Sequence, residues 1–132
     1  MKKFFILTAL IALFGVTSCE KAPSKAIVGS WKAEKTEISY GGVDLTLTME
    51  EVGYNLTATF NEDGTGTFIY DEGGESDAEV FTYAANGKTL TITSYGETEV
   101  IPYEINGKDL ILSYTEEEEG EVINAKMYFK KL

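Results

Sequence analysis

Tyr83-Ala84-Ala85-Asn86-Gly87-Lys88-Thr89-Leu90 is followed, twenty residues on, by Tyr103-Glu104-Ile105-Asn106-Gly107-Lys108-Asp109-Leu110. Asn-Gly between alternating apolar runs is the strongest short-range signal for a tight β-hairpin. A two-residue Asn86-Gly87 loop sets Ala85 opposite Lys88. Tyr83 then faces Leu90 and Phe81 faces Ile92, while Thr82 faces Thr91 and Val80 faces Thr93. One face is apolar and the other mostly threonine, as a half-buried antiparallel pair requires, because a slip of one residue would exchange the faces. The second loop, Asn106-Gly107, sets Tyr103 opposite Leu110 and Ile101 opposite Leu112. Two hairpins one hairpin-length apart describe a meander that adds strands to a single sheet.

The pattern extends in both directions. A three-residue loop Glu62-Asp63-Gly64, with Gly64 left-handed, places Ala58 opposite Phe68 and Leu56 opposite Tyr70. A two-residue loop there would mix the faces. Gly41-Gly42 turns the first strand into a run from Val43 to Met49 that alternates cleanly and reads as a strand; a short helix over Asp44 to Val52 is the alternative. The last strand, Val122 to Lys131, points Ile123, Ala125, Met127 and Phe129 one way. Thr, Tyr, Ile and Val fill these runs, as strands prefer. Eight or nine strands result, and an up-and-down meander of that length closes on itself to remove its edges. The expected fold is all-β, an antiparallel up-and-down barrel over residues 28–132.

Composition narrows function by exclusion. The chain has 132 residues, no histidine, no arginine, one cysteine and 22 acids. Nucleic acid is not an expected partner, since its binding needs Lys and Arg on phosphates. Without His there is no Ser-His or Cys-His pair, and a transition-metal site is not expected. No cofactor is expected, and the protein is not expected to be an enzyme.

The amino terminus reads as an address. Lys2 and Lys3 precede a run from Phe4 to Val16 that only Thr8 and Gly15 interrupt. Thirteen residues fit the ~7–15 of a signal h-region and fall short of the ~20 that span a bilayer. Val16-Thr17-Ser18-Cys19 resembles the lipobox of bacterial lipoproteins, with Val16 where Leu is commonest. That resemblance implies cleavage after Ser18, a diacylglycerol on the Cys19 sulfur and an acylated amine. Cleavage after Val16-x-Ser18 by the general signal peptidase is the alternative. Residues 1–18 are thus an expected lipoprotein signal, and residues 19–27 a lipidated Cys with a short linker. The flexible part, Glu20 to Ala26, reaches about 15 Å. The signal takes Lys2 and Lys3 with it, so the remaining 114 residues hold nine lysines against 22 acids, a net charge of −13. The expected location is the cell envelope, lipid-anchored at the outer membrane, since Glu20 is not the Asp associated with inner-membrane retention.

Three stretches carry a family resemblance. Gly29-Ser30-Trp31 resembles the Gly-x-Trp that opens the first strand of lipocalins. Thr59-Phe60-Asn61-Glu62-Asp63-Gly64-Thr65-Gly66-Thr67 is similar to the second signature of lipocalin-like domains in small bacterial lipoproteins, and the Asn-Gly-Lys-x-Leu hairpins fit the same group. The resemblance covers most of residues 28–130 and implies a barrel of about eight strands. Lipocalins set an Arg from the last strands against this Trp. No arginine exists here, so a lysine among Lys126, Lys130 and Lys131 is the expected substitute.

On this barrel the candidate ligand-binding residues are the interior aromatics: Trp31, Phe60, Phe68, Tyr70, Phe81, Tyr83, Tyr103, Tyr114 and Phe129. Trp31 reads first as a plug for one end and second as part of a cavity wall. The others either fill the barrel or line a narrow apolar pocket, with the hydroxyls of Tyr70, Tyr83 and Tyr103 orienting a ligand. The acidic runs Asp71–Asp77 and Glu116–Glu121 lack the spacing of a calcium loop and read as solvated turns. The expected function is binding a small apolar or amphipathic molecule, as a monomer. The alternative is an acidic interaction protein that docks a cationic, lysozyme-like enzyme through those runs.

Overall fold

The computed structural model describes residues 25–132; the expected signal, Cys19 and most of the linker lie outside the described residues. Nine antiparallel strands form one sheet that closes on itself. They are β1 (Gly29–Tyr40), β2 (Val43–Thr48), β3 (Tyr54–Phe60), β4 (Thr65–Glu72), β5 (Glu75–Ala85), β6 (Thr89–Ser94), β7 (Glu97–Asn106), β8 (Asp109–Glu118) and β9 (Glu121–Lys131), with a four-residue helix α1 (Met49–Val52) between β2 and β3. β1 pairs with β9 from Trp31↔Lys131 to Ser39↔Asn124, which closes the barrel. On its other side, the first part of β1 pairs with β3 and the later part with β2. Eight strands therefore make the barrel, and β2 is an extra strand above β3 on the same edge.

The break between β2 and β3 has a local cause. The Thr48 hydroxyl accepts from the Glu51 backbone N–H, and the Glu51 carboxylate accepts from the Thr48 backbone N–H at 2.8 Å. This reciprocal capping box starts a helix, and Gly53 ends it in the left-handed conformation with its N–H on the Met49 carbonyl. Met49, expected at the end of a strand, instead begins this turn and is buried. The strand expected from Val43 to Met49 is formed as far as Thr48, and the alternative helix from Asp44 is reduced to the single turn Met49–Val52.

The Asp63 loop has the expected register, with Ala58 opposite Phe68, Leu56 opposite Tyr70, and Gly64 at φ 84°. The two Asn-Gly hairpins differ from expectation by the same step. Tyr83 lies opposite Ile92 rather than Leu90, and Ala85 opposite Leu90. Tyr103 lies opposite Leu112 rather than Leu110, and Asn106 opposite Asp109. The loops are therefore Gly87-Lys88 and Gly107-Lys108, each with the Asn one place earlier. At the first loop the cause is visible. Asn86 Oδ1 accepts from the backbone N–H of both Lys88 and Thr89, and Asn86 Nδ2 donates to Thr89 Oγ1. The side chain works as an Asx cap outside the loop instead of taking a central position in it. A slip of two residues keeps every side chain on its face, so the inward set is unchanged.

The two ends of the barrel differ. At one end, each turn continues a ladder into the next hairpin. Gly64 carbonyl accepts from Tyr83 N–H, Lys88 carbonyl from Tyr103 N–H, and Lys108 carbonyl from Lys131 N–H. Trp31 is fully buried there and donates its indole N–H to the Ile27 carbonyl at 2.8 Å. Ile27, expected in the linker, is itself fully buried and belongs to the core. Phe60, Phe129, Leu90, Leu110 and Leu112 complete this closed end.

The other end is unzipped. β5 and β6 pair only from Thr82 to Ala85, and β7 and β8 only from Tyr103 to Asn106. The second split follows from Pro102. The Tyr103 N–H points to β6, where it bonds Lys88, so the preceding residue faces β8, and Pro102 has no N–H to offer. The β4–β5 and β8–β9 hairpins run on to Glu72↔Glu75 and Glu118↔Glu121, while β6–β7 turns at Ser94↔Glu97. The low β6–β7 hairpin makes a notch between two taller walls.

Candidate functional site

Beneath that notch lies a cavity of about 560 Å³. Its floor rests on a stack of aromatic rings. The Phe60 ring meets Tyr83 edge-on at 5.0 Å and Phe81 at 5.4 Å, and Phe81 lies 4.5 Å from Phe68. Gly66 lets this stack form. A Cβ there would sit 2.3 Å from Phe81 Cζ and 2.5 Å from the Thr59 carbonyl oxygen. Phe68 passes the stack on to the Tyr70 ring, 6.3 Å away, and lines the cavity with Leu56, Ile92, Ile101 and Met127. Tyr54, Tyr70 and Tyr114 form the walls, and Glu79, Glu97 and Glu99 line it nearer the rim.

The walls are electrostatically linked. Burial pushes the Tyr114 hydroxyl well above the usual tyrosine range, helped by the Glu99 charge and by Tyr70 and Tyr54. Tyr70 is raised by burial, then by the Glu79 charge and Tyr54, and by a hydrogen bond with Glu79. Both phenols therefore stay neutral donors at ordinary pH. Among the described residues, no lysine lines the cavity.

The nine aromatics named from sequence divide between the two ends. Phe68, Tyr70 and Tyr114 line the cavity. Trp31, Phe60, Phe81 and Phe129 are core residues of the closed end or of the stack beneath the floor. Tyr83 and Tyr103 do not line the cavity, and their hydroxyls bond to turns. Tyr83 donates to the Asn61 carbonyl at 2.6 Å, and Tyr103 accepts from the Gly87 N–H at 2.8 Å. Burial raises both phenols; nearby Asp63 and Glu62 add to this at Tyr83, and the Gly87 N–H opposes it at Tyr103. Trp31 is a plug, and its cationic neighbour is Lys131, whose Nζ sits 5.3 Å from the ring centroid. Gly29 makes room for it, since a Cβ there would stand 3.0 Å from Lys131 Cε. Lys130 instead pairs with Asp109 at 2.7 Å.

Sequence reading missed Tyr54, Glu79, Glu97 and Glu99. Their parity was available: Glu79 alternates with Phe81 and Tyr83, and Glu97 and Glu99 with Ile101 and Tyr103. The acidic runs Asp71–Asp77 and Glu116–Glu121 lie in the tall hairpins around the same open end. Among the described residues, no group of three or more acidic or thiol side chains has the geometry to hold a metal.

A single-domain, eight-stranded antiparallel cup, plugged by a tryptophan at one end and hollow at the other, is the architecture of small ligand-binding barrels. The family model of the lipocalin-like domain matches residues 27–112. The chain belongs to this lipocalin-like domain family. No curated protein matches the sequence.

Proposed function

We propose that this protein is a lipid-anchored lipoprotein of the cell envelope whose barrel holds one small apolar or amphipathic molecule. The observation that carries the binding role is the cavity, whose volume lies within the ~300–1,000 Å³ of small-molecule sites. It has an apolar, aromatic floor and its polar groups near the mouth, so a ligand would enter tail first. Binding is favoured over catalysis because the chain has no histidine to pair with a serine or cysteine nucleophile.

Native mass spectrometry of the protein purified from its own host tests this reading, together with titration by the neutral fluorophore N-phenyl-1-naphthylamine. A retained small molecule, or saturable fluorescence at one site per chain, is expected. A protein that carries nothing and leaves the fluorophore dark ends the proposal.

The clustering of acidic hairpins around one end favours a second reading, docking of a cationic protein on that rim. Salt-sensitive binding to basic proteins checks it, and no binding at low ionic strength removes it.

A further inference from the structure

We propose that the ligand of the cavity is a cation, an amphiphile whose apolar tail rests on the Phe68 floor and whose protonated amine or quaternary ammonium head sits among Tyr70, Tyr114, Glu79 and Glu99. This inference rests on the reading of the barrel as a ligand cup and names what that cup selects.

The charged side chains of the cavity are all carboxylates, and they fall on inward positions. Glu79 lies on the face of β5 that carries Phe81, and Glu99 on the face of β7 that carries Ile101. Carboxylates accept hydrogen bonds and donate none. An anionic head would meet like charges with no lysine to offset them. Lys35, Lys130 and Lys131 are engaged elsewhere. Lys131 covers Trp31 and Lys130 pairs with Asp109 at the closed end, and Lys35 lies over the Tyr128 ring beside Glu37. Segments 70–80, 94–100 and 114–122, which surround the mouth, contain acids and no lysine. Such a one-signed rim attracts cations over long range.

The tyrosines fit the same head group. A ring face attracts a cation within about 6 Å of its centroid, more strongly where water is excluded. Three phenols from β3, β4 and β8 border the cavity. The Tyr54 and Tyr114 hydroxyls make no hydrogen bond among the described residues, so the protein itself does not use them as it uses those of Tyr83 and Tyr103. Their position in the wall leaves both free to orient a ligand.

Three probes of one scaffold test the charge: 4-phenylbutylamine, 4-phenylbutanol and 4-phenylbutyrate. Each is measured by equilibrium dialysis against the full chain in phospholipid nanodiscs, with protein-free discs as the blank. The amine is expected to bind about tenfold or more tighter than the alcohol, a difference of about 1.4 kcal/mol, and the carboxylate weakest. Glu79→Gln with Glu99→Gln should bring amine and alcohol to within about threefold. Glu99→Gln alone, an exposed and near-isosteric change, should reduce the preference in the same direction if the double variant does not fold. Equal binding of amine and alcohol overturns the cation proposal and leaves the cup reading intact. Binding of none of the three overturns both. A preference that survives in the variants also overturns it, and leaves these glutamates as guards of unpaired strand edges.

Discussion

Adding one methyl group at Gly66 would collide with a ring and with a strand backbone at once. The Phe81 ring lies over Gly66 as closely as a side chain can approach, and Phe81 in turn supports Phe68, the floor of the cavity. Gly66→Ala should therefore destabilise the barrel by about 1–3 kcal/mol, the usual cost of overpacking a full core, read as a lower urea midpoint. Phe81→Leu in the same background should recover part of that loss, and additive effects would show that the two positions are not in contact. At the other side of the floor, Tyr114 links packing to pH. Its native hydroxyl titrates above the ordinary value of 10.0 because burial and Glu99 oppose its anion. The unfolded chain thus gives up this proton first. The stability it contributes is complete below about pH 10 and falls as pH rises from there toward the native pKa. Tyr114→Phe removes that dependence. Its melting temperature should decline less than the parent's between about pH 10 and pH 11.5, and parallel declines would count against the buried phenol.

Among the elements, the most instructive are the two hairpins in which asparagine stands outside the loop. Periodicity makes the inward face of β5 to β8 legible, because alternation survives a slip of two residues. Turn chemistry alone does not set the register, since Asn86 both suits a central turn position and caps the turn that follows it. The Glu62-Asp63-Gly64 loop was legible because only one register kept its faces unmixed. The Thr48-x-x-Glu51 capping box was written in the sequence as well, but five alternating residues before it argued for strand. The hollow end was not legible for another reason. Interior aromatics are equally consistent with filling and with lining, and the outcome depends on where strands part. That point is Pro102, whose missing N–H faces β8 at the last paired residues of β7. Pro102→Thr should allow the β7–β8 ladder to lengthen by a bond worth about 0.5–1.5 kcal/mol. The variant should melt higher, protect amides of β8 beyond Leu112 from hydrogen exchange, and slow the uptake of N-phenyl-1-naphthylamine. Unchanged exchange in β8 would mean that something other than the proline holds the strands apart.

Across the whole molecule, the lysines and the opening lie at opposite ends. The closed end carries Lys88, Lys108, Lys130 and Lys131 together with Glu62, Asp63 and Asp109, and the open end carries the acidic hairpins with no lysine in segments 70–80, 94–100 and 114–122. The chain enters at the closed end, where Ile27 is buried beneath Trp31. If Cys19 holds the lipid anchor proposed above, this geometry orients the barrel. Residues 20–24 reach at most about 17 Å when fully extended. The wall built by the eleven residues of β9 rises roughly 28 Å, from a strand rise of ~3.3 Å per residue and a tilt near 40°. The tether is too short to bring the mouth down to the bilayer. The lysines then lie nearest the lipid headgroups, and the acidic mouth faces away, where repulsion from anionic lipid is screened by distance. A ligand would thus be taken from the aqueous side and not directly from the membrane. Lipidation would leave no free thiol on Cys19, so single labelling sites could be introduced on the lipoprotein in vesicles. A fluorophore on Lys108→Cys, at the closed end, should be quenched by headgroup spin-labelled lipid, and one on Asp77→Cys, at the rim, should not. Equal quenching of the two would show that the barrel lies on its side, and stronger quenching at position 77 would show that the mouth opens onto the membrane.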